Sequence, residues 1–205
     1  MPALMEYGKA NLLLKKYGIR TVDNKYVSSA QEAIRFANGR PIVLKAISGK
    51  ALHKSKSGLI QLDLQTDEGI KKAFGALVQR AGKFRPYKIQ AQHMVKGGVE
   101  IIIGGNTDQQ FGKMILLGLG GIYVETFKDF ALRACPITRH DADSMIDQLR
   151  SSRIVAPDQK ARKMLHSLLL DVSKMFMANK ITELDLNPLI LHDGTYDAVD
   201  IRILL

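Results

Sequence analysis

The chain has 205 residues, 30 of them Lys or Arg against 20 Asp or Glu, a net charge of +10, with 46% hydrophobic and 24% charged residues. This is the balance of a folded globular protein of one domain or two small lobes, without a disordered or low-complexity block. It excludes a membrane helix, because no run approaches the ~20 apolar residues that one needs; the N-terminus MPALMEYGKANLLLKKYG lacks a signal peptide's unbroken apolar core, and the single cysteine, Cys135, excludes an internal disulfide or a thiolate-rich zinc site. The expected location is therefore the cytoplasm, with no membrane partner. The excess of basic residues suits nucleic acid, anionic lipid or small polyphosphates alike. They are scattered rather than interleaved with exposed aromatics, so no nucleic-acid partner is expected.

In chain order, MEYGKANLLLKKY predicts a helix stopped at Gly18, and SSAQEAIRFANGRP a serine-capped helix ended by Asn38-Gly39 and Pro41. PIVLKAI reads as a buried strand. After the lysine-rich stretch ISGKALHKSKS, the run GLIQLDL reads as a second strand, alternating Leu59, Gln61 and Asp63 against Ile60, Leu62 and Leu64. The two strands are expected to pair. TDEGIKKAFGALVQRAGKF is a threonine-capped helix with an acidic first turn. YKIQAQHMV, GVEIIIGGN, FGKMILLGLGG and ALRACPI predict four strands separated by glycines. DADSMIDQLR gives a short helix, and DQKARKMLHSLLLDVSKMFMAN a long one, apolar at Leu165, Leu168, Leu169, Val172 and Phe176. TELDLNPLIL and YDAVDIRILL close the chain as a strand pair. Strands concentrated in the middle argue for an α+β fold of two lobes.

The chemistry is most concentrated near the C-terminus. In TELDLNPLIL, alternation sends Leu184 and Leu186 to one face and Glu183, Asp185 and Asn187 to the other. Asp193-Gly194 is a hairpin turn signal, and a turn there pairs residues whose numbers add to 387. Asn187 then faces Asp200, and Asp185 faces Arg202. Opposed side chains on a sheet are within ~5.5 Å at Cβ, so an amide oxygen and a carboxylate can share one hard cation, and a few oxygen ligands shared with phosphate suit magnesium. The same pattern serves a hairpin whose polar face merely meets water. Lys45, isolated in an apolar strand, can reach a phosphate from a rigid element, although strand lysines more often snorkel to solvent. The loop after it offers glycines, hydroxyls and ammoniums that suit phosphate. GxxxxGKS is absent, and GLGGIYVE lacks the spacing of a dinucleotide-binding turn.

Together VLKAISGKALHKSKSGLIQLDL, GGVEIIIG, LLGLGGIYVETFKDFALRACP and ELDLNPLIL, in this order, resemble the ATP-grasp β subunit of the ADP-forming acyl-CoA (acetate–CoA) ligases, relatives of the succinyl-CoA synthetase β subunit. The resemblance implies a two-lobed ATP-grasp fold with a nucleotide cleft between lobes, 1–91 and 92–205, holding ADP or ATP with Mg2+. It implies that Lys45 contacts nucleotide phosphates, that Gln92, His93 and Met94 form the hinge against which adenine lies, and that Glu100 is near ribose and phosphates. Asn187, Asp200 and Asp185 match the magnesium ligands. His53 matches the histidine that accepts phosphate and passes it to ADP, and Arg133 the arginine that stabilises the transferring phosphate. A neutral imidazole is a good nucleophile near neutral pH, and the lysines around His53 would offset a phosphohistidine's charge. The loop departs from the family's SPDIxHKSDxGG pattern, with Gly49 and Lys50 in place of Pro-Asp, Lys56 in place of Asp and Ser57 in place of Gly. With no CoA-binding Rossmann turn in the chain, thioester chemistry is expected on a separate α subunit, in an α2β2 assembly. A non-catalytic nucleotide-binding subunit and, further off, a basic nucleic-acid-binding protein are the rival readings.

Overall fold

The computed structural model describes residues 3–48, 58–121 and 128–205. They form two units, Val22–Lys96 and, discontinuously, Met1–Thr21 with Gly97–Leu205.

The smaller unit is a four-stranded antiparallel sheet in the order β1-β4-β2-β3, made by β1 (Asn24–Val27), β2 (Ile42–Ile47), β3 (Ile60–Leu64) and β4 (Lys88–His93). Helices α2 (Ala30–Ala37) and α3 (Asp67–Ala81) cover one face. Both start where expected: the side chain of Ser29 accepts from the Glu32 N–H and that of Thr66 from the Gly69 N–H, each cap contributing ~1 kcal/mol. Asn38, in the left-handed conformation (φ 45°), ends α2. Leu44, Ala46, Ile89 and Ala91 point into the core with Ala33, Ile70 and Leu77 from the helices. Period-two alternation therefore turns Lys45 and Gln90 to the opposite face.

The expected pairing of β2 with β3 is present, but its expected alternation is not. The register slips between Ile42 and Leu44, and Asp63 takes a left-handed φ of 51°. This bulge breaks the period, so Leu62 is 63% exposed while Leu59 is fully buried. Strand β1, four residues with only one of them buried, has no counterpart among the sequence-predicted elements.

The larger unit holds a second antiparallel sheet, β10-β8-β5-β6-β7, with β9 also paired to β8. Its strands are β5 (Val99–Asp108), β6 (Gly112–Leu119), β7 (Phe130–Ala134), β8 (Glu183–His192), β9 (Thr195–Ala198) and β10 (Ile201–Leu204). Helices α1 (Tyr7–Lys16), α4 (Arg139–Gln148), α5 (Ser152–Val155) and α6 (Gln159–Ala178) accompany it. The predicted stripe of α6 is buried throughout, with Leu165, Leu169, Val172 and Phe176 fully enclosed. Phe176 lies under β5, where a Cβ on Gly105 would come within 3.0 Å of its ring. Lys113 of β6 lies over the same ring and donates to the Phe176 and Asn179 carbonyls at the C-terminus of α6, a cation where the helix leaves its carbonyls unpaired.

Residues 1–21 join this unit rather than the first lobe in which the 1–91 expectation put them. The Met5 N–H donates to the Ile203 carbonyl, Leu4 bridges Leu204, and Thr21 bridges Ala198, so the N-terminal segment is tied to the chain's last strands. The return crossing is at Lys96–Gly97, a few residues beyond the expected 91/92 boundary. None of the described helices is long and apolar enough to cross a membrane.

Candidate nucleotide and metal site

The C-terminal hairpin has the expected register. The pairs Leu189–Ala198 and His192–Thr195 run into Ile201–Leu186 and Arg202–Asp185, all with numbers that add to 387. Asp193 (φ 49°) and Gly194 (φ 69°) make the turn, the left-handed pair of a two-residue hairpin. The predicted second strand is two, β9 and β10, because the Val199 and Asp200 N–H groups both point at the Pro188 carbonyl. The Asn187 N–H donates to the Asp200 carbonyl, so these two residues do face each other.

Rows across the larger sheet decide which residues share a face. One row runs Arg202, Asp185, Gly104, Leu116, Leu132. The adjacent row runs Ile203, Leu184, Gly105, Ile115, Arg133, and it is this row whose Gly105 meets Phe176. The first row is therefore on the face turned away from the helices, which also carries Phe130, 46% exposed, and Leu132, 45% exposed. These half-exposed apolar groups stand on the edge strand β7, three strands along the row from Asp185. Their alternation in FALRA is the signal for them in the sequence.

Asp185 is held in an electronegative position. Burial, reinforced by the charges of Asp200 and Glu183 and opposed by Arg202, pushes its carboxyl up to about 6. Arg202 pairs with Glu183 at 3.5 Å. The Asp185 and Asp200 carboxylates repel each other, with the exposed Asn187 paired through its backbone to Asp200, and a divalent cation that takes hard oxygen donors, such as magnesium, would relieve that repulsion. Among the described residues no three His, Cys, Asp or Glu side chains form a cage of their own. A cation here would share its coordination with other oxygens, as magnesium commonly does with phosphates and water.

Glu100, on β5, lies beside the glycine segment that follows β6. The Gly120 N–H donates to its carbonyl at 2.7 Å, and a Cβ at Gly120 would stand 2.8 Å from that carbonyl carbon. Only glycine allows that approach.

Arg133 is placed elsewhere. Its guanidinium donates to Ser144 Oγ (2.7 Å) and Gln148 Oε1 (3.1 Å) of α4, on the helix side of the sheet and on the face opposite Asp185. The register of β7 on β6 puts Arg133 beside the buried Ile115, and this directs it to α4. In this structure its side chain staples β7 to α4. Arg133→Ala is accordingly expected to cost ~1–2 kcal/mol of stability and to leave nucleotide affinity within about twofold, read by melting temperature and calorimetry side by side.

In the smaller unit, Lys45 is 3% exposed, so it does not snorkel. At the expected hinge the side chain of Gln92 is buried on the face of Lys45. The His93 ring is directed to α2, stacked on Phe36 at 4.4 Å, with Nε2 2.6 Å from Arg40 Nη2. Burial and the Arg40 charge hold its pKa below the usual imidazole value. The His93 and Met94 N–H groups are used by the Asp23 and Pro41 carbonyls, so neither is left to meet a base. His53 lies outside the described residues. The Cys135 thiol is pushed up by burial and hydrogen-bonded with Ser173, the setting of an inert thiol.

The ATP-grasp domain family profile matches residues 3–205. The chain belongs to the ATP-grasp family. This ATP-grasp chain is 35% identical to the β subunit of ADP-forming acetate–CoA ligase II of Pyrococcus furiosus, over 99% of this chain and 92% of that one. It is also similar to a Candidatus Korarchaeum cryptofilum acetyl-coenzyme A synthetase solved with coenzyme A and Ca-AMPCP, with a TM-score of 0.88 and 30% identity, covering 100% of this chain and 93% of that one. A second structure of that enzyme, with coenzyme A and Mg-AMPPCP, has a phosphohistidine segment pointing towards the nucleotide binding site; it has a TM-score of 0.83 and 30% identity, covering 98% of this chain and 92% of that one. The expected α+β ATP-grasp fold and the family resemblance both stand.

Proposed function

We propose that the chain is the nucleotide-binding β subunit of an ADP-forming acyl-CoA ligase, working with a separate α subunit that carries the CoA and thioester chemistry, in an α2β2 assembly in the cytoplasm. The observation that carries this reading is the end-to-end similarity to such a β subunit, over 92% of that relative's length. The reaction is the reversible last step, in which a phosphoryl group passes to ADP. The P–N bond to the His53 imidazole breaks, a P–O bond to a terminal oxygen of ADP's β-phosphate forms, and the imidazole leaves neutral.

Lys45 holds phosphate oxygens from a buried strand, and Glu100 lies near the ribose and phosphates, where its carboxylate accepts from the ribose hydroxyls. Asn187, Asp200 and Asp185 hold the magnesium, which offsets the phosphate charge when bound. The buried Gln92 and the backbone at Met94, through groups other than the engaged N–H, bound the base, while His93 contributes through its backbone alone. Most of the catalytic effect is positioning and charge neutralisation. A non-catalytic nucleotide-binding subunit is the second reading, favoured by the exchange of acidic for basic residues in the His53 segment.

Labelling with γ-labelled ATP, with and without the α subunit, separates the two. Acid-labile phosphate is expected on the wild type and none on His53→Ala. Equal labelling of His53→Ala overturns the relay, and nucleotide binding without any label favours the non-catalytic subunit.

A further inference from the structure

A buried amide on the face of Lys45 has an unanswered acceptor. Gln90 is fully buried and directly opposite Lys45 in the β2–β4 register. Its orientation is set by a short relay within the smaller unit. The Asn24 Nδ2 donates to the Val22 carbonyl at 2.8 Å, which leaves Asn24 Oδ1 to accept from Gln90 Nε2 at 3.1 Å. With the nitrogen of Gln90 so engaged, its Oε1 has to face the other way, and there it meets no donor among the described residues. An orphaned buried carbonyl is costly, so one held in place by two further residues calls for a donor from outside.

The position of Gln90 says what that donor is. It stands on the strand that leads into the 92–94 segment assigned to the base, beside the lysine assigned to the phosphates. A base lying along this face presents its edge to Gln90. Adenine carries an exocyclic amine on that edge, a donor, whereas guanine carries a carbonyl oxygen there, which would oppose Oε1 as one acceptor against another. We propose that Gln90 is a base-specificity residue whose Oε1 accepts a hydrogen bond from the exocyclic amine of adenine, selecting adenine over guanine nucleotides. The proposal rests on the nucleotide-binding reading given above and adds the group that chooses the base.

The test is a binding cycle on the whole chain with magnesium present. ADP, GDP and purine-riboside diphosphate, which lacks the amine, are titrated into wild type and into Gln90→Met, a substitution of similar length without an acceptor. Gln90→Glu, which keeps an acceptor, is the second variant, and melting curves check that each folds. The wild type is expected to bind ADP roughly tenfold tighter than the amine-free analogue, the size of one hydrogen bond to a buried acceptor. In Gln90→Met that ratio is expected to fall to within about twofold and GDP to be less disfavoured, while Gln90→Glu retains discrimination. The same ratio in wild type and Gln90→Met overturns the proposal, and is also the result if a water molecule satisfies Oε1. A folded wild type that binds none of the three overturns the nucleotide reading itself, and this inference with it.

Discussion

Magnesium ADP is expected to bind about a hundredfold more weakly to Lys45→Met than to the wild type, with the fold intact. Lys45 alternates with Leu44 and Ala46, which are fixed in the core of the smaller unit, so the strand cannot turn the lysine elsewhere. A charge-assisted contact from a rigid, nearly inaccessible ammonium is worth ~2–3 kcal/mol, which is roughly a hundredfold in affinity. Methionine fills a similar volume without the charge, so its melting temperature separates loss of contact from loss of fold. Calorimetric titration reads the affinity. Unchanged binding by a folded Lys45→Met protein would mean that phosphate is held by other groups, and the role given to this strand would fall.

The largest effect on stability is expected at Gly98. Its φ is +99°, and a Cβ there would lie 2.4 Å from the Leu191 carbonyl oxygen and 2.7 Å from Ile190 Cγ2. These are the residues that pair with Val99 and Glu100, so an alanine has to push β8 off the start of β5. The left-handed conformation alone costs ~1–2 kcal/mol, and backbone overlap raises the total to ~3 kcal/mol or more. Gly97, with φ +70° and open space around its added Cβ, is the internal control. Gly97→Ala should show the conformational cost alone. In thermal melts Gly98→Ala should fall by about 10 °C, several degrees more than Gly97→Ala. Equal shifts would mean that the contact with β8 is not a constraint.

How far the sequence could be read depends on where the information lies. The register of the C-terminal hairpin was legible, because Asp193-Gly194 fixes a turn and strand alternation fixes what is paired across it, although the break between β9 and β10 was not. Two helix starts were legible for a similar local reason, since Ser29 and Thr66 each accept from an N–H in their own first turn, whereas Thr138 caps a helix that was expected to start only at Asp141. Strand β3 was found but its faces were misassigned, because a bulge at Asp63 leaves no mark in a pattern of alternating residues. The placement of residues 1–21 was illegible, since the pairing of Leu4 with Leu204 joins the two ends of the chain. Arg133 shows the limit for the candidate site. Its expected role came from the family resemblance alone, and which face it takes depends on the register of β7 on β6 and on a helix that follows. Lys45 was legible as a candidate, but its burial, which argues against an ordinary surface lysine, depends on the assembled sheet.

The account rests on Asn187 and Asp200 facing each other to hold a cation for a bound nucleotide. Calorimetric titration of ADP into the wild type and into the Asn187→Ala/Asp200→Ala double variant, each with magnesium and with EDTA, tests this most directly. The wild type is expected to bind with an affinity that magnesium raises at least tenfold, and the folded double variant to bind equally weakly in both conditions. A double variant that keeps the magnesium-dependent gain would contradict the assignment of this hairpin as the metal site.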